Sequence, residues 1–235
     1  MRADRIRVFQ TLPQACGYWR GRTAQNIVLD PASPELPTIY PAALARGYRR
    51  AGGHVYRPAC PRCHACVPCR IPVARFKPDR AQRRCLARNA DLALIDAEPG
   101  FTAERYALYS RYQHSRHPGG GMDDGSVADF SQFLTANWGV TRFLELRAGD
   151  RLLAVAATDV VADALSAVYT WYDPDLPARG LGTRAILWQI DYAAARGLDH
   201  VYLGFWIEDH PKMDYKRRFR PLELFGANGW RALDV

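Results

Sequence analysis

Four thiols stand at every third position in Cys60-Pro-Arg-Cys63-His-Ala-Cys66-Val-Pro-Cys69. Thiolates are soft metal ligands. Two-residue spacers suit an iron–sulfur cluster better than a zinc finger, in which a longer spacer separates two pairs. Three thiols of the run joined by the remote Cys16 would complete a four-thiolate site. The other reading is a set of small buried or free cysteines on an irregular loop. A nucleophilic cysteine has less support, because nothing fixes a histidine partner and His64 lies within the run itself. A second chemical signal is Arg179-Gly180-Leu181-Gly182-Thr183, between a predicted strand and a predicted helix. Glycines let backbone approach a ligand closely, and free N–H groups at a helix start bind phosphate. An ordinary helix-entry turn has the same appearance.

The elements that must position these groups fall into two parts. The first ~95 residues are rich in Pro, Gly, Arg and Cys and read as short strands and turns. Pro41–Arg46 reads as one or two helical turns stopped by Gly47, and Val55–Arg57 and Ile71–Phe76 as short strands. Asp79 followed by Gln82 predicts a capped helix over Arg80–Asn89 with Arg80, Arg83, Arg84 and Arg88 at helical spacing. That basic face is either merely solvated or a tRNA contact. From residue 90 the pattern is regular: strand Leu92–Ala97, helix Thr102–His114, a loop over His117–Met122, and a helix from a Ser126/Asp129 capping box to about Ala136. Strands Thr141–Leu146, Leu152–Val160 and Ala164–Tyr172 follow, then helix Arg179–Arg196 and strand Val201–Trp206. Tyr106, Tyr109 and Tyr112 form a stripe expected to be core. The expected fold is α+β, with a small Cys-rich α/β domain over 1–97 and a second domain over 98–235.

Of the 235 residues, 48% are hydrophobic and 24% charged, which excludes disorder and low-complexity classes. The longest apolar stretch, near Leu152–Ala157, is far short of a membrane span, and the N-terminus lacks a secretory core, so a soluble cytoplasmic protein with no membrane partner is expected. The net charge of +8 is uneven: +13 over residues 1–90 and −5 over 91–235. All but one of the basic residues in the first part are arginines, which match phosphate geometry and stack on bases. A nucleic-acid partner or a plainly soluble basic surface would each account for that.

The order strand, two helices, three strands, helix, strand resembles the GNAT acyltransferase fold, in which a similar but longer glycine loop holds the pyrophosphate of acyl-CoA. A wider resemblance covers residues 16 to 223. Cys16-Gly-Tyr, Gly47-Tyr-Arg-Arg50, Tyr56-Arg-Pro-x-Cys60-x-x-Cys63-x-x-Cys66-Val-Pro and Arg80–Arg84 are similar to the N-terminal region of the arginyl-tRNA–protein transferase family. Tyr109-x-x-Tyr112-Gln113, Arg116–Met122, Ser166–Thr170, Tyr172-Asp173-Pro-Asp175, Leu181-Gly-Thr183, Leu203–Trp206, Lys212-Met-x-Tyr215-Lys216 and Phe219-Arg-Pro221 match its second half. The short chain and the Cys-x-x-Cys-x-x-Cys-Val-Pro form resemble the bacterial branch, the aspartate/glutamate leucyltransferases.

The resemblance implies transfer of leucine from leucyl-tRNA to the α-amine of proteins beginning with Asp or Glu, which marks them for N-degron degradation. It implies a GNAT-like C-terminal domain. It also implies an iron–sulfur cluster on the N-terminal cysteines, with zinc as the alternative, and no cofactor for the transfer itself; the expected ligands are Cys16, Cys60, Cys63 and Cys66, with Cys69 as the spare. Trp19 stands where eukaryotic relatives have a second cysteine, and Cys69 where bacterial relatives often have valine. The implied base is Asp173, with a turn-forming role before Pro174 as its alternative. Tyr112, Gln113 and His117 would line the pocket or orient the ester. Arg49, Arg50, Arg179, Lys212 and Lys216 form the pool that reads an acidic N-terminus or the tRNA end, with Gly180–Thr183 and Tyr215 beside them. The adjacent pair Arg49–Arg50 is the expected reader of the acidic residue. Transfer from arginyl-tRNA, a conventional acetyl-CoA enzyme, and a metal-stabilised RNA-binding module without transferase activity are the other readings open on sequence.

Overall fold

The computed structural model describes residues 6–116 and 126–233. At its centre is an eight-stranded sheet. Its order is β14 (Gly229–Ala232), β13 (Glu223–Gly226), β7 (Val67–Pro72), β12 (His200–Trp206), β11 (Ala164–Tyr172), β10 (Arg151–Val160), β9 (Thr141–Ala148), β8 (Ala93–Ala97). Only β11 and β12 run parallel. The run Leu152–Ala157 is apolar throughout because β10 is covered on both faces, as a central strand should be. Leu153 and Ala156 pack with helix α5 (Leu181–Ala194) on one face. Leu152, Val155 and Ala157 pack with α3 (Ala103–Arg116) and α4 (Val127–Leu134) on the other. Tyr109 and Tyr112 join Phe130, Phe143 and Trp171 in that second core, as the tyrosine spacing predicts.

Local signals place the helices well. Helix α2 (Arg80–Arg88) carries both reciprocal bonds of a capping box between Asp79 and Gln82, and α4 carries the same box between Ser126 and Asp129. Helix α1 (Leu36–Ala45) begins well before the expected Pro41, with Pro37 in its first turn and Pro41 inside. A first-turn proline costs no hydrogen bond, so Pro37 does not mark a stop. The strand expected at Ile71–Phe76 lies earlier, at β7, and Val73–Arg75 form a 3-10 turn.

A smaller sheet, β1 (Val8–Gln10), β4 (Asn26–Leu29), β6 (His54–Pro58) and β5 (Arg49–Ala51), carries α1. Strands β2 (Gln14–Ala15) and β3 (Thr23–Ala24) form a separate ribbon beside it. The boundary expected at residue 97 is not a boundary of the sheets. Both β7 and β8 precede it and are strands of the eight-stranded sheet, β7 pairing with β12 and β13. The core under α1 likewise takes Val161, Ala164 and Tyr202 from beyond it.

One buried ion pair fastens the small sheet to the large one. Arg50 and Asp159 side chains are both 0% exposed. Arg50 Nε donates to Asp159 Oδ2 at 2.6 Å and Nη2 to Oδ1 at 2.7 Å, the two-pronged geometry of a guanidinium on a carboxylate. Its remaining N–H groups reach the Gly52 and Leu134 carbonyls, and the Tyr40 and Thr141 hydroxyls also donate to Asp159. Arg50 is therefore not available to read a peptide's carboxylate, which corrects the expectation for the Arg49–Arg50 pair. Among the described residues, no helix is long and apolar enough to cross a membrane. Removing one partner leaves a buried charge unpaired, so Asp159→Ala is expected to lower stability by about 3–5 kcal/mol, read from urea unfolding.

Candidate active site

The parallel pairing of β11 and β12 is short. Ala164, Leu165 and Ser166 face His200, Val201 and Tyr202, and beyond that point the two strands part. Each keeps its other neighbour: β11 stays laddered to β10 out to Tyr172, and β12 to β7 out to Trp206. A wedge therefore opens between Val168–Tyr172 and Gly204–Trp206. Such a parting exposes backbone groups inside a sheet, and they must find partners.

Arg49 enters this wedge from the small sheet. Its Nη2 donates to the Val168 carbonyl at 3.1 Å, and its guanidinium lies 5.7 Å from the Phe205 ring centre. Gly204 has φ +74, and a Cβ there would stand 3.1 Å from Arg49 Nη1, so glycine is needed both for the backbone and for the arginine's passage. Successive residues of a strand point to opposite faces, which is why Arg50 enters the core and Arg49 the wedge. Among the described residues, no carboxylate lies within ion-pair distance of Arg49. Lys216, 4% exposed, is held by the Phe205 carbonyl on the same side. Burial pulls its ammonium down to about 8, with Arg49 pushing the same way and Cys69 opposing.

The expected cysteine set is brought together. Cys16, Cys60, Cys63 and Cys66 line one cavity of about 190 Å³ with Trp19, Arg22 and His64. Arg22 donates to Cys63 Sγ at 3.3 Å and the Trp19 N–H to Cys16 Sγ at 3.4 Å. Burial, then the neighbouring Cys16, Cys60 and Cys63, pushes the Cys66 thiol up to about 12. Cys69 points away, buried in β7, where burial pushes its thiol up to about 11. Among the described residues, no three His, Cys, Asp or Glu side chains are drawn closely enough together to hold a metal ion.

The glycine loop has a support the sequence did not suggest. Cys85 Sγ on α2 lies 3.5 Å from the Gly180 carbonyl, Asn89 Nδ2 donates to the Arg179 carbonyl at 2.8 Å, and Arg88 reaches the Ala178 carbonyl. Arg179 itself turns onto Asn89 and Asp91, so its charge is spent on α2 and not on a ligand. Gly180 takes φ +65 at the start of α5, and a Cβ on Gly182 would stand 3.0 Å from the Tyr172 ring. Tyr112 packs edge-on against Tyr172 at 4.8 Å, which sets the end of α3 beside Leu181–Thr183. Gln113 is 1% exposed; its Nε2 donates to the Tyr169 hydroxyl, while its Oε1 has no partner. Lys212 Nζ reaches the Arg116 carbonyl at the end of α3, and Tyr215 is exposed. His117 lies outside the described residues.

The oxygens of Asp173 are taken up by contacts within the protein. Its buried carboxylate pairs with Arg111 at 3.2 Å and with Arg151, and Oδ1 accepts the Asp175 N–H at 3.1 Å. Asp173 braces the turn before Pro174, which corrects the catalytic expectation. His210 was also missed: buried, it meets the Tyr18 carbonyl at 3.1 Å from Nε2 and packs edge-on against Trp19, joining the segment after β12 to the Cys16 loop. Only the pairing of distant segments reveals it.

Comparison with known proteins sets the molecule among transferases. The model for the N terminus of arginine-tRNA-protein transferase matches residues 14–84, and the model for its C terminus matches residues 104–226. The chain belongs to this family. Aspartate/glutamate leucyltransferases are similar over nearly the whole chain. That of Stenotrophomonas maltophilia (strain K279a) is 53% identical, covering 99% of this chain and 95% of the relative. That of Xylella fastidiosa (strain 9a5c) is 51% identical, covering 97% and 92%, and that of Xanthomonas campestris pv. campestris (strain B100) is 55% identical, covering 98% and 94%. Among solved structures, the C-terminal domain described as that of a lysylphosphatidylglycerol synthetase from Agrobacterium fabrum shares the fold. Its TM-score is 0.50 at 11% identity, over 82% of this chain and 66% of that one.

Gly204→Ala is expected to cost about 1–2 kcal/mol for the left-handed backbone and more for displacing Arg49. Gly197→Ala, at φ +65 with open space around it, carries the backbone cost alone. Urea unfolding of both variants reads the difference.

Proposed function

We propose that this chain transfers leucine from leucyl-tRNA to the α-amine of proteins whose first residue is Asp or Glu, and that the product's new N-terminal leucine commits it to N-degron degradation. The names of the relatives support the reaction class. The observation that carries the acidic specificity is Arg49, a half-buried guanidinium without a carboxylate among the described residues, at the mouth of the β11–β12 wedge. A carboxylate on an incoming side chain supplies the missing charge and can take two parallel hydrogen bonds. The order β8-α3-α4-β9-β10-β11-α5-β12 and the parted parallel pair support a GNAT-like catalytic unit, with the aminoacyl end of tRNA in place of acyl-CoA.

The chemistry asks little of the protein. An aminoacyl ester is already activated, so the neutral amine attacks its carbonyl and a tetrahedral oxyanion forms; the attacking nitrogen then gives up one proton, the carbon–oxygen ester bond breaks, and the ribose oxygen takes a proton and leaves as a hydroxyl as the peptide bond closes. An α-amine titrates at about 7.7–8.0, so roughly a tenth is neutral at pH 7. Positioning and oxyanion stabilisation then dominate, with the N–H groups at Leu181–Thr183 and the Tyr112–Gln113 end of α3 as the groups at hand.

Cys16, Cys60, Cys63 and Cys66 are the residues that would hold a metal. Soft sulfur donors suit zinc or an iron–sulfur cluster, and the four thiols, which line one cavity, would have to draw closer together to hold either. Bound there, it would lock the Cys16 loop to the 60–66 segment, a structural contribution outside the transfer.

Labelled leucyl-tRNA, arginyl-tRNA and acetyl-CoA, each offered with peptides beginning Asp, Glu or Lys, test the whole reading. Label should pass only from leucyl-tRNA and only to Asp and Glu peptides. Arg49→Gln should lower kcat/KM for the Asp peptide about 10- to 100-fold, the worth of a charge-assisted hydrogen bond. The rate at low peptide should rise with pH as the neutral amine grows and level off above about pH 8. Anaerobic purification with metal analysis should find metal, and chelation should lower the Tm. Full activity and unchanged Tm in metal-free protein would remove the metal from the account.

A further inference from the structure

Helix α2 has two sides with different work. Gln82, Cys85 and Asn89, spaced i, i+3, i+7, face the protein, and its last turn holds the glycine loop. Its exposed side carries Arg80, Arg83, Arg84 and Arg88 with no acidic residue in the first turn. That pattern is unfavourable in isolation. Like charges at i, i+4 repel, and cations in the first turns oppose the helix dipole. A fold seeking stability alone would interleave acids here.

The basic side also continues onto a distant part of the chain. Phe76, just before α2, stacks on Phe219 at 6.4 Å, and Gln82 Nε2 donates to the Arg218 carbonyl at 3.0 Å. These contacts set exposed Arg218 and Arg220 beside exposed Lys77, Arg80, Arg83 and Arg84. The neighbouring acids are already engaged: Asp79 caps α2, Asp214 pairs with Arg217, Asp91 with Arg179, and Glu223 with Arg70 and Arg75. Among the described residues, none of the six cations has a carboxylate at ion-pair distance.

We infer that this surface, built by α2 and the 218–220 segment, is the docking face for the phosphate backbone of the tRNA body. A polyanion of fixed charge spacing is the partner that relieves the repulsion along α2. The face lies on the same nine-residue helix whose far end holds Arg179 and Gly180, about 13 Å along its axis. A stem gripped there lies on the helix that supports the glycine loop at the start of α5. The inference rests on the proposed reaction and adds to it where the nucleic acid sits.

The test is binding of deacylated tRNA to the full-length chain over a salt series, with leucine transfer measured in parallel. A triple variant, Arg80→Gln, Arg84→Gln and Arg218→Gln, should weaken tRNA binding about tenfold or more at 0.1 M salt. It should also reduce the slope of log K against log salt by about 2–3, one unit or slightly less per lost phosphate contact. The corresponding Arg→Lys triple variant should keep the slope, since a point charge suffices for a phosphate. Thermal unfolding of each variant, and the single Arg84→Gln change with a slope loss near one, separate a binding effect from misfolding. If the unmodified chain transfers leucine while the folded triple variant keeps wild-type affinity and slope, the surface assignment falls. The same holds if the variant loses only adhesion to anionic vesicles. If the unmodified chain transfers no leucine, the proposed reaction falls instead, whatever the binding data show.

Discussion

The architecture depends on one buried contact, Arg50 with Asp159. A guanidinium and a carboxylate wholly removed from water are costly to bury and tolerable only when every lone pair and N–H is matched. Here Tyr40, Thr141 and the Gly52 and Leu134 carbonyls supply the matches. They come from α1, β9, the turn after β5 and the end of α4, so the contact aligns four parts of the chain at once. A small shift of the small sheet would strand several polar groups together. That makes the placement of its neighbour in β5 an all-or-none matter.

Arg49 takes its position from that anchoring. With Arg50 pinned, strand alternation turns Arg49 to the opposite side, into the opening where β11 and β12 separate. Gly204 clears the way and Phe205 offers a ring face. Two adjacent arginines thus have opposite lives, one closed into the interior and one left with an unanswered charge. Around the second, Lys216, Tyr18 and the thiol cavity crowd together, and His210 ties the segment after β12 to the Cys16 loop.

Features governed by neighbours in the chain were legible in the sequence. The two capping boxes, the tyrosine stripe and the buried run of β10 all follow from residues within a few positions of one another. Features set by distant partners were not. Nothing near Arg49 and Arg50 says which one Asp159 will claim, 109 residues later. Asp173 reads as a free carboxylate until Arg111 and Arg151 close over it. The expected helix began at Pro41 because proline commonly opens a helix, whereas α1 opens with Pro37 in its first turn and runs on through Pro41. Cys16, Cys60, Cys63 and Cys66 line one cavity although Cys16 is remote from the others in the chain, and strand β7 explains why Cys69 is apart from them.

Strand β7 also has a consequence for how this chain can be divided. It comes from the first third of the sequence yet fills a slot between β12 and β13, both from the last. Scission in the loop before α3 would leave the carboxyl piece with a gap in the middle of its sheet and two naked strand margins. The two parts of the chain complete one sheet between them.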